Sequence, residues 1–389
     1  MNVSVVVPTL GLPSSVEKVL ESLISQSYFP YEVIVVDSSL DDSVLSVCND
    51  YRDRIKISYI KVSSMFPGEA RNFGIKHCAG EIVAILDSKT IPIQSWLEIN
   101  VNLLLSAKHD VCFGSTYYDA ETAFQKILQA CIYGTKPVET TPGSVLFKEK
   151  FLQVGNFIEG VRTGDDLEWR DRIRHMNISC YTHEQPTLLY NSISKDLSQE
   201  LKRAFTYGLH SAKIDVQLRM KIIIFGVVIV LITLLIPQWN NFVGWESSNF
   251  YIPNITKSYF YFLSLFSAGI LILYRQFSEP AKRVWLKIIM TAMFLLSSYL
   301  VLKWNAAMAN WVEESIYYFP HITKIYLASL LLLGILYRGL YCPLTRGIHT
   351  SYLFPIRWLL VGIVGFIIDI AKIPGYFIGA ILGLYRIIK

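Results

Sequence analysis

The chain has 389 residues, a formal charge of +5 and 52% hydrophobic residues, with a mean hydropathy of +0.37. That is too apolar for one water-soluble domain, and the small positive charge, without a basic stripe, argues against a nucleic-acid partner and suits an anionic membrane surface. Residues 1 to about 215 have an ordinary globular mix, and long apolar runs follow Arg219, which predicts a soluble domain and then a membrane domain. The six cysteines form no Cys-x-x-Cys pair and no zinc-type spacing, which fits a reduced cytosolic compartment. The opening MNVSVVVPTL has no basic leader and too short an apolar run for a signal peptide.

In chain order, Val3 to Val7 reads as a buried strand stopping at Pro8-Thr9. Ser14 or Ser15 caps a helix over Val16 to Ser25, with Val16, Val19, Leu20, Leu23 and Ile24 on one face. Glu32 to Val36 is a second strand ending at Asp37, and the pair predicts a right-handed βαβ unit. Ile55 to Val62 is a third strand. Pro67-Gly68 breaks the chain, Glu69 to Cys78 has helical spacing, and Gly80 closes that helix. Glu81 to Leu86 is a strand buried on both faces, with Asp87 at its end. Thr9, Asp37 and Asp87 then share the crevice outside the carboxyl ends of the strands, where open α/β sheets bind ligands; the bland alternative for Asp87 is a turn-capping residue.

Trp96 to Leu105 reads as a helix and Val111 to Thr116 as a strand. A polar, small-residue segment around Pro142-Gly143-Ser144 follows. In TGDDLEWRDRIR, Asp165 and Asp166 precede an amphipathic helix. They either serve the helix dipole, or one of them is a general base.

GEARNFG followed by LDSK resembles the core of family 2 glycosyltransferases with the GT-A fold, where a Gly-x-Ala-x-x-Arg-Asn-x-Gly helix precedes a strand ending in Asp-x-Asp. The resemblance covers about residues 1–180 and implies an α/β, GT-A (Rossmann-like) nucleotide-sugar-binding domain, here followed by an all-α membrane domain. It implies that Pro8, Thr9 and Asp37 contact the nucleotide, with Arg71 and Asn72 near its phosphates. It makes Asp166 the base of an inverting transfer, beside Asp165 where the family usually has Glu, with Arg172 six residues on. Gly143 and Ser144 resemble the entry to the family's acceptor loop, and Gly155 and Phe157 its Val-Gly-x-Phe.

The sequence departs from the family at Lys89, which stands where the family has a second acid. The family's acids hold Mg²⁺ or Mn²⁺ against the diphosphate, whereas a protonated lysine cannot ligate such a cation. Either Asp87 and the phosphates hold a metal alone, or Lys89 meets the diphosphate directly as a point charge.

The domains are expected at 1–195, 196–218 (an amphipathic helix in the membrane interface or on the domain surface) and 219–389. Apolar runs at roughly 220–236, 258–274, 284–302 and 322–337 are of spanning length. Basic residues in 275–283 and 338–357 put those loops and the catalytic domain in the cytoplasm, as in a bacterial inner-membrane protein. The stretch from Trp358 to Tyr385 carries Asp369, Lys372 and Pro374-Gly375 and reads as two half-helices, re-entrant or interfacial, or else as a fifth crossing. The function implied is transfer of a sugar from a nucleotide-sugar donor to a lipid-linked acceptor, with membrane lipid and no nucleic acid as partners. A polyprenyl-phosphate acceptor is one alternative, and in that case Asp166 would position rather than deprotonate. A non-catalytic membrane scaffold that kept the fold is another.

Overall fold

A computed structural model describes residues 1–211, Ile214 and 331–388. The four spans expected between 220 and 337 lie outside these residues, apart from the last few positions of the fourth. The chain divides into two compact units, Met1–Val216 with Gly334–Tyr376, and Gln217–Leu333 with Phe377–Lys389. Of the second unit only residues 331–333 and 377–388 are described, all of them helical.

The first unit is built on a nine-stranded sheet ordered β3-β2-β1-β4-β7-β6-β9-β5, with β8 paired to β6. Strands β1 (Val3–Thr9), β2 (Glu32–Asp37), β3 (Ile57–Lys61) and β4 (Ile82–Ile85) run parallel. Their apolar runs are those of strands covered on both faces, and β1, β2 and β4 are buried at every position. The register pairs Thr9 with Asp37 and Asp37 with Lys61, so the strand ends meet along one edge. Beyond β4 the sheet turns mixed. Here β7 (Val138–Phe147) is antiparallel to β4 and to β6 (Val111–Tyr118), and β6 is parallel to β8 (Cys180–Thr182) and β9 (Leu188–Tyr190). The edge strand β5 (Thr90–Pro92) is antiparallel to β9.

The period of two along each strand sends alternate residues to opposite faces. Val3, Val5, Val7, Val33 and Val35 pack under α1 (Pro13–Ile24), α2 (Ser43–Tyr51) and α4 (Trp96–Leu105). Val6, Ile34, Val36, Val83 and Ile85 pack under α3 (Pro67–Lys76), α6 (Lys148–Val154) and α7 (Asp165–His175). Helix α3 lies so close to β1 that a Cβ on Gly74 would stand 2.5 Å from Val6 Cγ1. The helix ends at Lys76, with His77 as its cap. Gly80 therefore does not close it; this residue lies in the turn before β4, where its N–H donates to Ser4 Oγ at 2.8 Å.

A third core cluster joins distant parts of the chain. It gathers Leu128, Ala130, Cys131 and Tyr133 from α5 (Ala123–Leu128) and the π-turn Gln129–Tyr133 that continues it. Ala204 comes from α8 (Leu197–Ser211), and Val361, Val364 and Ile368 come from α9 (Arg357–Ile388). Helix α9 is continuous, with Pro374 inside it, so the expected break into two half-helices is not observed. Among the described residues, Arg357–Tyr376 is the one helix long and apolar enough to cross a membrane, by length and composition.

Candidate active site

The crevice at the carboxyl edge of β1, β2 and β4 is organised by Arg71. Pro67 at the first turn and Glu69, whose Oε2 accepts the Phe66 N–H at 3.0 Å, start α3 at the edge of the sheet. This places Arg71 between the end of β4 and the start of α7. Its Nη2 donates to Asp87 Oδ1 and its Nη1 to Asp165 Oδ2, each at 2.7 Å, and the residue is 3% exposed. A Cβ on Gly68 would lie 3.0 Å from Asp165 Oδ2, so the small residue lets α7 approach. Burial works against the Arg71 cation, yet Asp87 and Asp165 raise its pKa overall. Burial pushes the Asp165 carboxyl up to about 6; Arg71 opposes that rise, and the like charges of Asp166 and Asp87 add to it.

The two adjacent acids are thus separated in role. Asp165 is buried and spent on Arg71. The Asp166 carboxylate has no hydrogen bond or ion pair among the described residues, although its own carbonyl accepts from Thr141 Oγ1 at 3.1 Å. Neither acid caps the helix through a side-chain hydrogen bond. Asp87 is partly open, with 35% of its side chain exposed. Lys89, two residues on, is exposed and has no hydrogen bond or ion pair among the described residues. Desolvation first, then the like charges of Arg203 and Arg162, lower its pKa against the pull of Asp87.

On the nucleotide side, Asp37 is fully buried. It accepts from Ser39 N–H (2.9 Å), Ser39 Oγ (2.7 Å), Tyr59 OH (2.8 Å) and Lys61 Nζ (3.3 Å). It shapes the loop after β2, and a direct ligand contact would require one of these bonds to be exchanged. Pro8 is buried within β1. The neighbouring hydroxyls of Thr9 and Ser38 are buried without a partner, an arrangement that calls for a polar ligand.

Several expected residues have other tasks. Asn72 is buried, and its amide is committed to Phe157 (Nδ2 to O 2.9 Å, N–H to Oδ1 2.8 Å) and to Glu159 Oε1 (3.2 Å). It braces the loop before α7. Arg172 pairs with Glu168 at 2.7 Å and donates to the carbonyls of Val154 and Asn156. Six residues is roughly 600° of helix, so it leaves Asp166 facing elsewhere and clamps α7 to α6. Ser144 is fully buried in β7, and Gly143, at φ +88°, gives its carbonyl to Trp96 Nε1 at 3.0 Å. The β7 residue that touches the acid pair is Thr141. Among the described residues no group of three or more His, Cys, Asp or Glu side chains is gathered to hold a metal ion.

The sequence reading missed an aromatic wall beside Lys89. The register aligns Thr90, Tyr190 and Tyr118 across β5, β9 and β6. Tyr133 stacks on Tyr118 at 4.2 Å between centroids, and Tyr190 lies 5.1 Å from it. Arg203 of α8 stands 5.8 Å from the Tyr133 ring and donates through Nε to Tyr207 OH at 2.9 Å. Nothing in the local pattern of these tyrosines marks them in sequence, because they come from four separate elements.

Residues 4–160 match the model of the family Glycosyl transferase family 2, so a glycosyltransferase domain occupies that part of the chain. Glycosyltransferase AglE of Haloferax volcanii is 26% identical over 220 residues, covering 53% of this chain and 71% of AglE. A second relative is UDP-Glc:alpha-D-GlcNAc-diphosphoundecaprenol beta-1,3-glucosyltransferase WfgD of Escherichia coli, 24% identical over 220 residues, covering 52% of this chain and 83% of WfgD. Poly(ribitol-phosphate) beta-N-acetylglucosaminyltransferase TarS of Staphylococcus aureus is 37% identical over 93 residues, 23% of this chain and only 16% of TarS. A crystal structure of TarS residues 1–349 with UDP-GlcNAc aligns with a TM-score of 0.41 and 17% identity, over 62% of this chain and 73% of that one.

Proposed function

We propose that this chain is a membrane-bound, inverting glycosyltransferase that moves a sugar from a nucleotide-sugar to a lipid-linked acceptor. The observation that carries the reading is the division of labour around Arg71: Asp87 and Asp165 are held, and Asp166 is left free on the same crevice. Asp166 takes the proton of the acceptor hydroxyl as that oxygen attacks the anomeric carbon. The bond to the nucleoside diphosphate breaks, and its electron pair leaves with the phosphate. Thr9 and the loop shaped by Asp37 hold the nucleotide, and Arg71 fixes Asp87 beneath the diphosphate.

A divalent cation would find one carboxylate here, Asp87, already bonded to Arg71, with Lys89 where a second ligand would stand. Mg²⁺ is ordinarily held by one or two carboxylates with substrate phosphates and waters, so a site left with Asp87 alone, itself engaged by Arg71, is a weakened one. In our reading the charge developing on the leaving diphosphate is met by Lys89.

The lipid-linked acceptor is supported by the printed activity of WfgD. The membrane setting is supported by one face of α9: Leu360, Ile363, Ile367, Ile370 and Ile373 are exposed there, while Val361, Val364 and Ile368 are buried in the unit. The domain limits at 195 and 218, the cytoplasmic side and the four crossings belong to the same proposal. The test is transfer by the full chain in nanodiscs, screening UDP- and GDP-sugars with Mg²⁺, with Mn²⁺ and with EDTA. Turnover that survives EDTA and is lost in Asp166→Asn and Lys89→Ala is the expected result. Turnover abolished by EDTA would overturn the role given to Lys89, and full activity in Asp166→Asn would overturn the mechanism.

A further inference from the structure

We infer that Arg203 and Arg162 form a second phosphate-recognising subsite, beside the donor diphosphate that Lys89 meets and distinct from it, that takes the diphosphate or phosphate by which the acceptor is carried. This rests on the reading of the crevice as a transferase site and names what its acceptor side recognises.

Three observations point there. The first is placement. Tyr190 sits opposite Thr90, the residue after Lys89, and Tyr118 sits opposite Tyr190. Tyr133 lies on Tyr118, and Arg203 stands over Tyr133, so the guanidinium reaches the wall that starts at Lys89. Arg162 comes to the same helix seven residues on, where its N–H donates to His210 Nδ1 at 3.2 Å. The second is unspent donor capacity. Among the described residues the side chains of Lys89 and Arg162 make no hydrogen bond or ion pair. The Nη groups of Arg203 have no anion nearer than Glu200 at 3.7 Å, which already accepts from Ser194 Oγ. Arg203 and Arg162 both lie near enough to Lys89 for their charges to lower its pKa, and cations so placed repel one another unless an anion joins them. The third is Tyr133 itself, which is 9% exposed and whose hydroxyl is buried without a hydrogen-bond partner.

An acceptor carried on a phosphate would place its charge on these donors as charge-assisted hydrogen bonds. Its lipid would lie toward the exposed apolar side of α9, whose residue Lys372 meets α8 at Gly208. The subsite thus reads the acceptor's anion, and Asp166 reads its hydroxyl.

The test is binding to the full chain in nanodiscs with UDP at saturation, using farnesyl diphosphate, farnesol and inorganic pyrophosphate as probes. Farnesyl diphosphate is expected to bind at least tenfold more tightly than farnesol. That preference should fall at least tenfold in Arg203→Gln and in Arg162→Ala, and stay intact in Lys56→Ala, which removes a charge at the opposite end of β3. Arg162→Ala removes a side chain with no bonds of its own, so folding does not confound it. Pyrophosphate binding as tightly as farnesyl diphosphate would support the anion site and identify a free diphosphate as its ligand. Farnesyl diphosphate binding that is present without UDP and lost at UDP saturation, or wild-type binding in both arginine variants, would overturn the inference. Absence of sugar transfer alongside intact diphosphate binding would instead strike the transferase reading alone.

Discussion

The two walls of the crevice are made differently. The donor wall is β1, β2 and β4 with α3, assembled from residues within the first hundred and held by close packing, as Gly74 against Val6 shows. The wall proposed to face the acceptor is the π-turn Gln129–Tyr133, β9, α8 and residues 334–376, which come from far apart in the chain. Its joints are polar clamps. Arg338 pairs with Asp369 (Nη2 to Oδ1 2.6 Å) and donates to the Cys131 carbonyl at 3.3 Å, while Arg346 donates to the Ile132 carbonyl. Thr135 Oγ1 and N–H donate to the carbonyls of Gly347 and Arg346. A π-turn leaves carbonyls without their usual helical partners, and these arginines satisfy them. Both walls are packed, the second around its own apolar cluster, but its directional bonds add joints that can be loosened one at a time.

That contrast can be broken first at the chemistry. Asp166→Asn should lower kcat about 10²–10⁴-fold with thermal unfolding unchanged, because its carboxylate supports nothing else. Next comes the joint that serves both the donor strand and α7. Arg71→Ala leaves two carboxylates facing each other and should cost about 3–5 kcal/mol in urea unfolding, with activity lost. Arg71→Lys can reach one carboxylate but not both and should fall between.

Asp165 offers a pH test of the same joint. It binds its proton more tightly folded, at about 6, than at its ordinary 3.8. The stability this confers is therefore full below 3.8 and lost as pH rises through about 6. Asp165→Asn should flatten that slope in melts taken from pH 4 to 7. Activity should have an acid limb near 6, where Asp165 takes its proton and releases Arg71.

The acceptor wall should respond more mildly. Arg338→Ala should lower Tm by a few degrees and raise the acceptor KM several-fold more than the donor KM. Equal changes in both constants would show that the two walls are not independent. Lastly, Gly74→Ala presses a methyl into Val6 and should cost about 1–3 kcal/mol, with both KM values moved together.

Much of the donor wall was legible in the sequence. Buried strands announce themselves as continuous apolar runs, and strand ends carry Thr9, Asp37 and Asp87 onto one edge because the register is set by the same runs. What the pattern could not tell was which way a polar side chain turns. Arg71 and Asn72 are neighbours, yet one bridges two acids and the other braces Phe157. Asp165 and Asp166 look alike in sequence, and only the position of Arg71 tells them apart. Arg172, bonded to Glu168 and to the carbonyls of Val154 and Asn156, teaches the same: spacing gives the element, not the partner. The second wall was invisible because its contacts join segments distant in the chain, Tyr118 to Tyr190 and Cys131 to Arg338 among them, and no local period records that.

The return of residues 334–376 to the first unit also sets an order of manufacture. The ribosome emits about 5–20 residues per second, and domains fold as their residues emerge. The donor wall has all its parts once residue 216 is out, whereas the carbonyls of Cys131 and Ile132 wait for Arg338 and Arg346 until residues 217–333 have been made. During that interval a nascent chain could hold a nucleotide-sugar against a half-built acceptor side. In the proposed function, competence to pass the sugar on therefore comes later than competence to hold it, after the segments proposed to enter the bilayer have been synthesised.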